Sequence, residues 1–209
     1  MLTLFFFAML NMGVAQAADT KSPHPHKGKS EKFSNPTPTK LSKGEIVTIK
    51  AGQAVRRQVK GKDGGRGIAI MDVNAPPDKI WATILDYKAY PNWIDNLDST
   101  KVYGGSATEG YLVTFKLSVI GMNIVYYIDH DYFPDKGMLT WTLDYSRESD
   151  LDDSTGYWLV YPSPDSPGHS RVEYTVDLRL KGWVPGMIEN MLAKKGLTMA
   201  TSWVKKQAE

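Results

Sequence analysis

Apolar and polar positions change rhythm several times along this chain, and each change marks an expected element. Between Tyr111 and Val119, the side chains Tyr111, Val113, Phe115, Leu117 and Val119 alternate with Leu112, Thr114, Lys116 and Ser118, the two-residue period of a strand. Val172 to Leu180 repeats the pattern more cleanly. Glu173, Thr175, Asp177 and Arg179 lie on its other side, which predicts an antiparallel sheet covered on one face and wet on the other. Further strands are expected at Glu45–Ala51, Ala54–Val59, Gly67–Asn74, Asn123–Asp131, Met138–Tyr145 and Tyr157–Tyr161. Gly64, Gly65 and Gly67 read as turn residues of the hairpin that Lys62-Asp63 opens.

Two stretches carry the helical period instead. Pro76-Pro77-Asp78 suits a helix start, because proline fits the first turn and an acid favours that end. Ile80, Trp81, Ile84 and Leu85 then share one face until Tyr90-Pro91, where the residue before proline avoids helical angles. Pro185–Lys206, about 22 residues and about 33 Å long, sets Ile188, Leu192, Met199 and Trp203 beside Ala193, Leu197, Ala200 and Val204. Asn190, Lys194, Thr198, Thr201 and Lys205 fall opposite. A one-faced helix of that length is the cover a one-faced sheet needs.

The N-terminal region follows other rules. Leu2–Leu10 is apolar and precedes Ala15-Gln16-Ala17, an A-x-A cleavage pattern, so residues 1–17 are expected to be a signal peptide, although no Lys or Arg precedes the apolar run. The run is too short to span a bilayer, which takes about 20 apolar residues. The implied location is a secretory route, periplasmic, lumenal or extracellular, with cleavage near Ala17. Residues 18–43, rich in Lys, Ser, Pro and Thr, are expected to form a disordered basic linker, with His24 and His26 solvated rather than metal-bound.

Charge sharpens this division. Residues 18–62 carry eleven basic and three acidic side chains, and the rest of the chain carries fourteen and twenty. A mildly anionic folded part argues against nucleic-acid binding, and the basic segment suggests a transient contact with an anionic membrane surface. There is no cysteine among the 209 residues, which excludes disulfides, thiol nucleophiles and cysteine-bearing zinc sites. Neither G-x-S-x-G, H-E-x-x-H, a P-loop nor a Rossmann glycine pattern occurs, so no cofactor or metal is expected. The acids of Glu148–Asp153 lack calcium-loop spacing and read as a solvated loop.

Several short motifs appear in a telling order: Val73-Asn74-Ala75-Pro76-Pro77-Asp78-Lys79-Ile80-Trp81, Leu85-Asp86-Tyr87, Tyr90-Pro91-Asn92-Trp93, Gly156-Tyr157-Trp158-Leu159-Val160, Arg171-Val172-Glu173-Tyr174-Thr175-Val176 and Trp183-Val184-Pro185-Gly186. Together they resemble the START-like and Bet v 1-like superfamily, and within it the polyketide cyclase and lipid-transport group that includes coenzyme Q-binding proteins. The likeness runs from Gly44 to Lys206. It implies an α+β helix-grip fold over 44–209, a curved antiparallel sheet wrapped around the long C-terminal helix. It also implies an internal cavity for sterols, phospholipids, quinones, polyketides or other apolar molecules.

The residues are compatible with such a cavity. Small Ala193, Gly196 and Ala200 and pliable Met191 and Met199 on the helix would oppose bulky rings on the sheet. Candidate ligand-binding residues are Val113, Phe115, Tyr126, Trp141, Trp158 and Tyr174 from the strands, Trp81 from the short helix, and Met191, Leu192 and Met199 from the long one. A movable gate is expected at Met187–Met191 with Ser118–Asn123. The first functional expectation is a monomeric, non-enzymatic binder or transporter of an apolar small molecule. The alternative is a polyketide cyclase or dehydratase in which Tyr126, Tyr174 or His130 moves protons. His130 shares the inward parity of Ile124, Tyr126 and Ile128, though a lone histidine at a strand end reads first as structural.

Overall fold

A computed structural model of the chain describes residues 18–60, 64–119, 121–182 and 186–209; the side chains of residues 60 and 186–194 lie outside that description, as do residues 1–17 of the expected signal peptide. In chain order the elements are α1 (Lys43–Lys50), β1 (Val55–Lys60), β2 (Gly64–Val73), α2 (Pro77–Leu85), β3 (Leu97–Ser106), β4 (Gly110–Val119), β5 (Met122–Phe133), β6 (Met138–Leu143), β7 (Leu151–Pro162), β8 (Ser170–Leu180) and α3 (Gly186–Ala208). The strands form one antiparallel sheet in the order β1-β2-β8-β7-β6-β5-β4-β3. α3 lies against its inner face, which is the α+β helix-grip arrangement.

The alternation in β4 and β8 sends Val113, Phe115, Val172 and Tyr174 to that inner face, where they join Trp158 and Trp203 in one apolar cluster. α2 starts at Pro77 and buries Ile80, Trp81 and Ile84. After α2 a tight turn of 3-10 helix, Tyr87–Asn92, contains the aromatic-proline corner. Its Tyr90 hydroxyl donates to the Ile84 carbonyl, and its ring packs on Trp203 of α3 at 4.6 Å between centroids. Trp93 stacks on the same indole at 5.7 Å. The corner is therefore the brace that fixes the C-terminal half of α3 over the sheet.

Four expectations are corrected. Glu45–Ala51 is helical, because Ser42 accepts from the Glu45 amide while Glu45 accepts from the Ser42 amide, a capping box that overrides the alternation. Gly64, Gly65 and Gly67 belong to strand β2 and not to a turn. A Cβ on Gly67 would lie 2.8 Å from a methyl of Leu197, so this glycine lets α3 approach the strand closely. The acids of Glu148–Asp153 are not a free loop, since β7 already begins at Leu151.

The fourth correction is the largest. The basic segment expected to be disordered lies along the outer face of the sheet. Asp19 pairs with Glu148 through two backbone hydrogen bonds of 2.9 Å. His24 is buried and reaches the Asp152 carbonyl at 2.9 Å; Lys29 and Ser30 donate their amides to Asp153 at 2.5 and 2.7 Å; the Thr39 amide donates to Glu173 at 3.0 Å. Phe33 meets Tyr157 edge-on at 5.1 Å. Low apolar content was the basis for expecting disorder, yet this strap is held mainly by backbone N–H groups given to carboxylates. Burial works against the Asp153 charge, but its hydrogen bonds from Lys29, Ser30, Tyr145 and Ser154 outweigh that and hold the carboxyl below its usual range.

Part of the β8 face expected to be wet is dry, and at Glu173 the strap reaches it through Thr39. Arg171 and Glu173 are 3% and 0% exposed. Arg171 donates to Asp72 on neighbouring β2 at 2.8 and 3.1 Å and pairs with Asp165 at 2.9 Å. Ser163 completes the cluster at 2.7 Å from Asp72. Glu173 accepts from the Tyr161 hydroxyl at 2.5 Å.

Candidate functional site: an aromatic cavity under the C-terminal helix

Between α3 and the inner face of the sheet lies a cavity of about 290 Å³. Phe115, Tyr126, Trp141, Trp158 and Tyr174 line it from the strands, and Met199 and Ala200 line it from α3. Cross-strand register builds these walls. Phe115 is opposite Tyr126, His130 opposite Trp141, and Trp158 opposite Tyr174. Phe115 and Tyr126 stack at 5.3 Å with planes 8° apart, Trp141 and Tyr174 stack at 5.5 Å, and Trp158 tilts onto Tyr174 at 4.6 Å. Gly156 gives Trp141 its place, because a Cβ there would fall 2.2 Å from the indole ring and 2.3 Å from the Thr175 carbonyl.

Volume remains because the helix is thin where the sheet is wide. Gly196 and Ala200 sit one turn apart on the cavity face of α3, and a Cβ built on Gly196 would meet none of the described residues within 4 Å. Trp203, a further turn on, closes the far end.

Not every expected residue is in this place. Val113 is wholly covered by its neighbours and Trp81 packs on Tyr132 at 4.9 Å; both belong to the surrounding core and not to the cavity wall. The side chains of Met191 and Leu192 lie outside the described residues, and so does much of the expected gate. Leu117, Ile124, Val176 and Leu178 also line the cavity. Each stands two residues from a chosen aromatic, or two further on, so the strand period itself would have found them. Tyr87 and Ile94 line it from the segment between α2 and β3, where no periodicity points to them.

The charged groups in the lining, Arg66 and Asp95, are exposed, and its buried polar groups are electrically neutral. Burial pushes the phenols of Tyr87, Tyr126 and Tyr174 above their ordinary range. Burial lowers the His130 pKa to about 4, against the opposing pull of its contact with Tyr111 and of Asp131. His130 Nδ1 is 2.9 Å from the Tyr111 carbonyl, which can only accept, so Nδ1 carries the proton and Nε2 is a bare acceptor. Tyr87, 5.1 Å from that imidazole between ring centroids, buries a hydroxyl that has no hydrogen-bond partner among the described residues.

The imidazole makes a prediction about acid stability. An unfolded chain protonates His130 near pH 6.5, the folded one only near pH 4. Between those values the unfolded state binds more protons, so stability is full above the window and is lost as pH falls through it, at up to about 1.4 kcal/mol per pH unit. His130→Gln, which can still donate to the Tyr111 carbonyl, is expected to lose less stability across this window. Urea midpoints at several pH values check the difference in slope.

An antiparallel sheet gripping one long helix, with an aromatic pocket between them, defines a helix-grip protein with a ligand-sized interior. The chain belongs to the polyketide cyclase / dehydrase and lipid transport family, whose sequence model matches residues 69–206. Solved structures agree on the fold. The Zhui aromatase/cyclase from Streptomyces sp. R1128 superposes with a TM-score of 0.57 at 14% identity, covering 74% of this chain and 94% of its own. The STAR-related lipid transfer protein from Xanthomonas axonopodis gives 0.55 at 14%, covering 74% and 92%. A START superfamily protein from Mycobacterium smegmatis gives 0.53 at 16%, covering 74% and 96%. No curated protein matches the sequence.

Proposed function

We propose that this protein binds an apolar small molecule in the cavity and carries it without chemical change. The observation that carries this reading is the lining, aromatic and aliphatic on nearly every side, whose buried polar groups are all uncharged. Such a chamber removes ligand surface from water at about 25 cal/mol per Å². It offers a reacting molecule little else. A phenol pushed above its ordinary range is a poor proton donor, and an imidazole with a pKa of about 4 is a weak base at neutral pH.

The same neutral imidazole supports the second reading, a cyclase or dehydratase in which His130 Nε2 removes a proton from an already acidic position. Both activities occur under the family's description, and both an aromatase/cyclase and a lipid transfer protein share the fold. The proposed setting is a secretory route, with residues 1–17 removed. Solvent extraction of the native protein, followed by mass spectrometry, tests the carrier reading. The expected result is a stoichiometric apolar molecule, unaltered after incubation with the protein. An empty cavity that takes up no lipid, sterol or quinone, or turnover of the bound molecule, would overturn it.

A further inference from the structure

Two of the cavity's polar groups stand apart from the rest. Tyr126 on β5 and Tyr174 on β8 lie deep in the molecule yet keep accessible surface, and both line the cavity. Among the described residues no hydrogen bond reaches either hydroxyl: burial alone raises the pKa of Tyr126, and burial together with the neighbouring Tyr126 raises that of Tyr174. Their rings are fixed. Tyr126 is stacked on Phe115, and Tyr174 is held between Trp141 and Trp158. Buried phenol hydroxyls ordinarily find partners, so two whose rings are held by stacking and whose hydroxyls pair with none of the described residues are poised for a partner that arrives from the cavity.

Resting on the carrier reading, we infer that Tyr126 and Tyr174 are paired hydrogen-bond donors for an oxygen on the ligand, and that the cavity selects an apolar ring system bearing a carbonyl or similar acceptor over the matching hydrocarbon. The flat stacked walls suit a ring system rather than a flexible chain. Gln58, Arg66, Asp95 and Ser154 also line the cavity, the first three exposed; two further buried polar groups cannot take this role. His130 Nε2 is an acceptor and has no proton for a ketone, while the Tyr87 hydroxyl is fully buried. A phenol satisfied by a ligand oxygen gains what its unpaired state lacks, so discrimination against a ligand without that oxygen is large for one atom.

Fluorene and 9-fluorenone have the same fused-ring outline and differ by one carbonyl, so they separate shape from oxygen recognition. Binding to the full chain is read by quenching of the cavity tryptophans. The expected result is fluorenone binding at least tenfold more tightly than fluorene. Tyr126→Phe and Tyr174→Phe keep the stacked rings; each is expected to reduce that ratio, and the double variant to bring it within twofold while fluorene affinity is unchanged. Equal affinity of the native chain for the two probes overturns the inference and leaves the carrier reading standing. A preference that survives in the double variant also overturns it, by placing the oxygen elsewhere. Failure of both probes to bind counts against the cavity as a ligand site and removes the inference with it.

Discussion

Arg171→Met is expected to lower the unfolding free energy by about 3–5 kcal/mol, the cost of leaving a buried charge without its partner. The Arg171 and Asp72 side chains are 4% and 3% exposed, and they join adjacent strands at the β2–β8 pair that brings the early part of the chain beside its last strand. Burial opposes both charges. The mutual hydrogen bonds nevertheless hold the Asp72 carboxyl below its usual range and the guanidinium above its own. Methionine fills a similar volume but leaves Asp72 with only Ser163 and Ser166. The double variant Asp72→Leu/Arg171→Met removes both charges and is expected to recover most of the loss. Urea denaturation of the single and double variants reads both effects. A single variant within about 1 kcal/mol of the native protein would show that solvent reaches this pair.

Gly196→Phe should abolish ligand uptake and raise stability at the same time. The glycine sits on the cavity face of α3, with open space where its Cβ would be. A phenylalanine there would project into the space available to a guest. Leaving glycine behind in a helix interior is worth about 0.5 kcal/mol by propensity alone, before any new contacts are counted. Most substitutions that destroy binding also weaken the fold, so this opposite pairing is diagnostic. Extraction of the purified variant should yield none of the molecule carried by the native protein, and its thermal midpoint should rise. Retained uptake would move the binding site away from the helix. A lower midpoint would mean the side chain meets wall and not empty space.

How far the sequence could be read depended on where each residue's partners lie. Strands such as β4 and β8 and the amphipathic face of α3 declare themselves because their periodicity is local, and the inward aromatics Phe115, Tyr126, Trp141 and Tyr174 follow from it. α1 was within reach, since Ser42-x-x-Glu45 is a capping signature written in four consecutive residues, though the β-branched alternation of Ile46, Val47, Thr48 and Ile49 pointed the other way. The strap was not legible in this manner. His24, Lys29 and Thr39 find their partners more than 120 residues later, and no period connects them. Its one long-range signal was charge, a basic segment early in the chain and the acids Glu148, Asp152 and Asp153 much later. Trp81 and Val113 show the converse limit: parity and bulk put a side chain indoors, but whether it faces a void or a neighbour is decided by the backbone on the opposite wall.

The strap also sets an order of events during biosynthesis. His24 meets Asp152 across 128 positions, and Thr39 meets Glu173 across 134. A ribosome delivers the strap first and its docking strands among the last, so the leading segment has nothing to hold while most of the chain emerges. A part made early must be seated late, and the outer surface of β7 and β8, with Glu173 upon it, stays wet until that step closes over it.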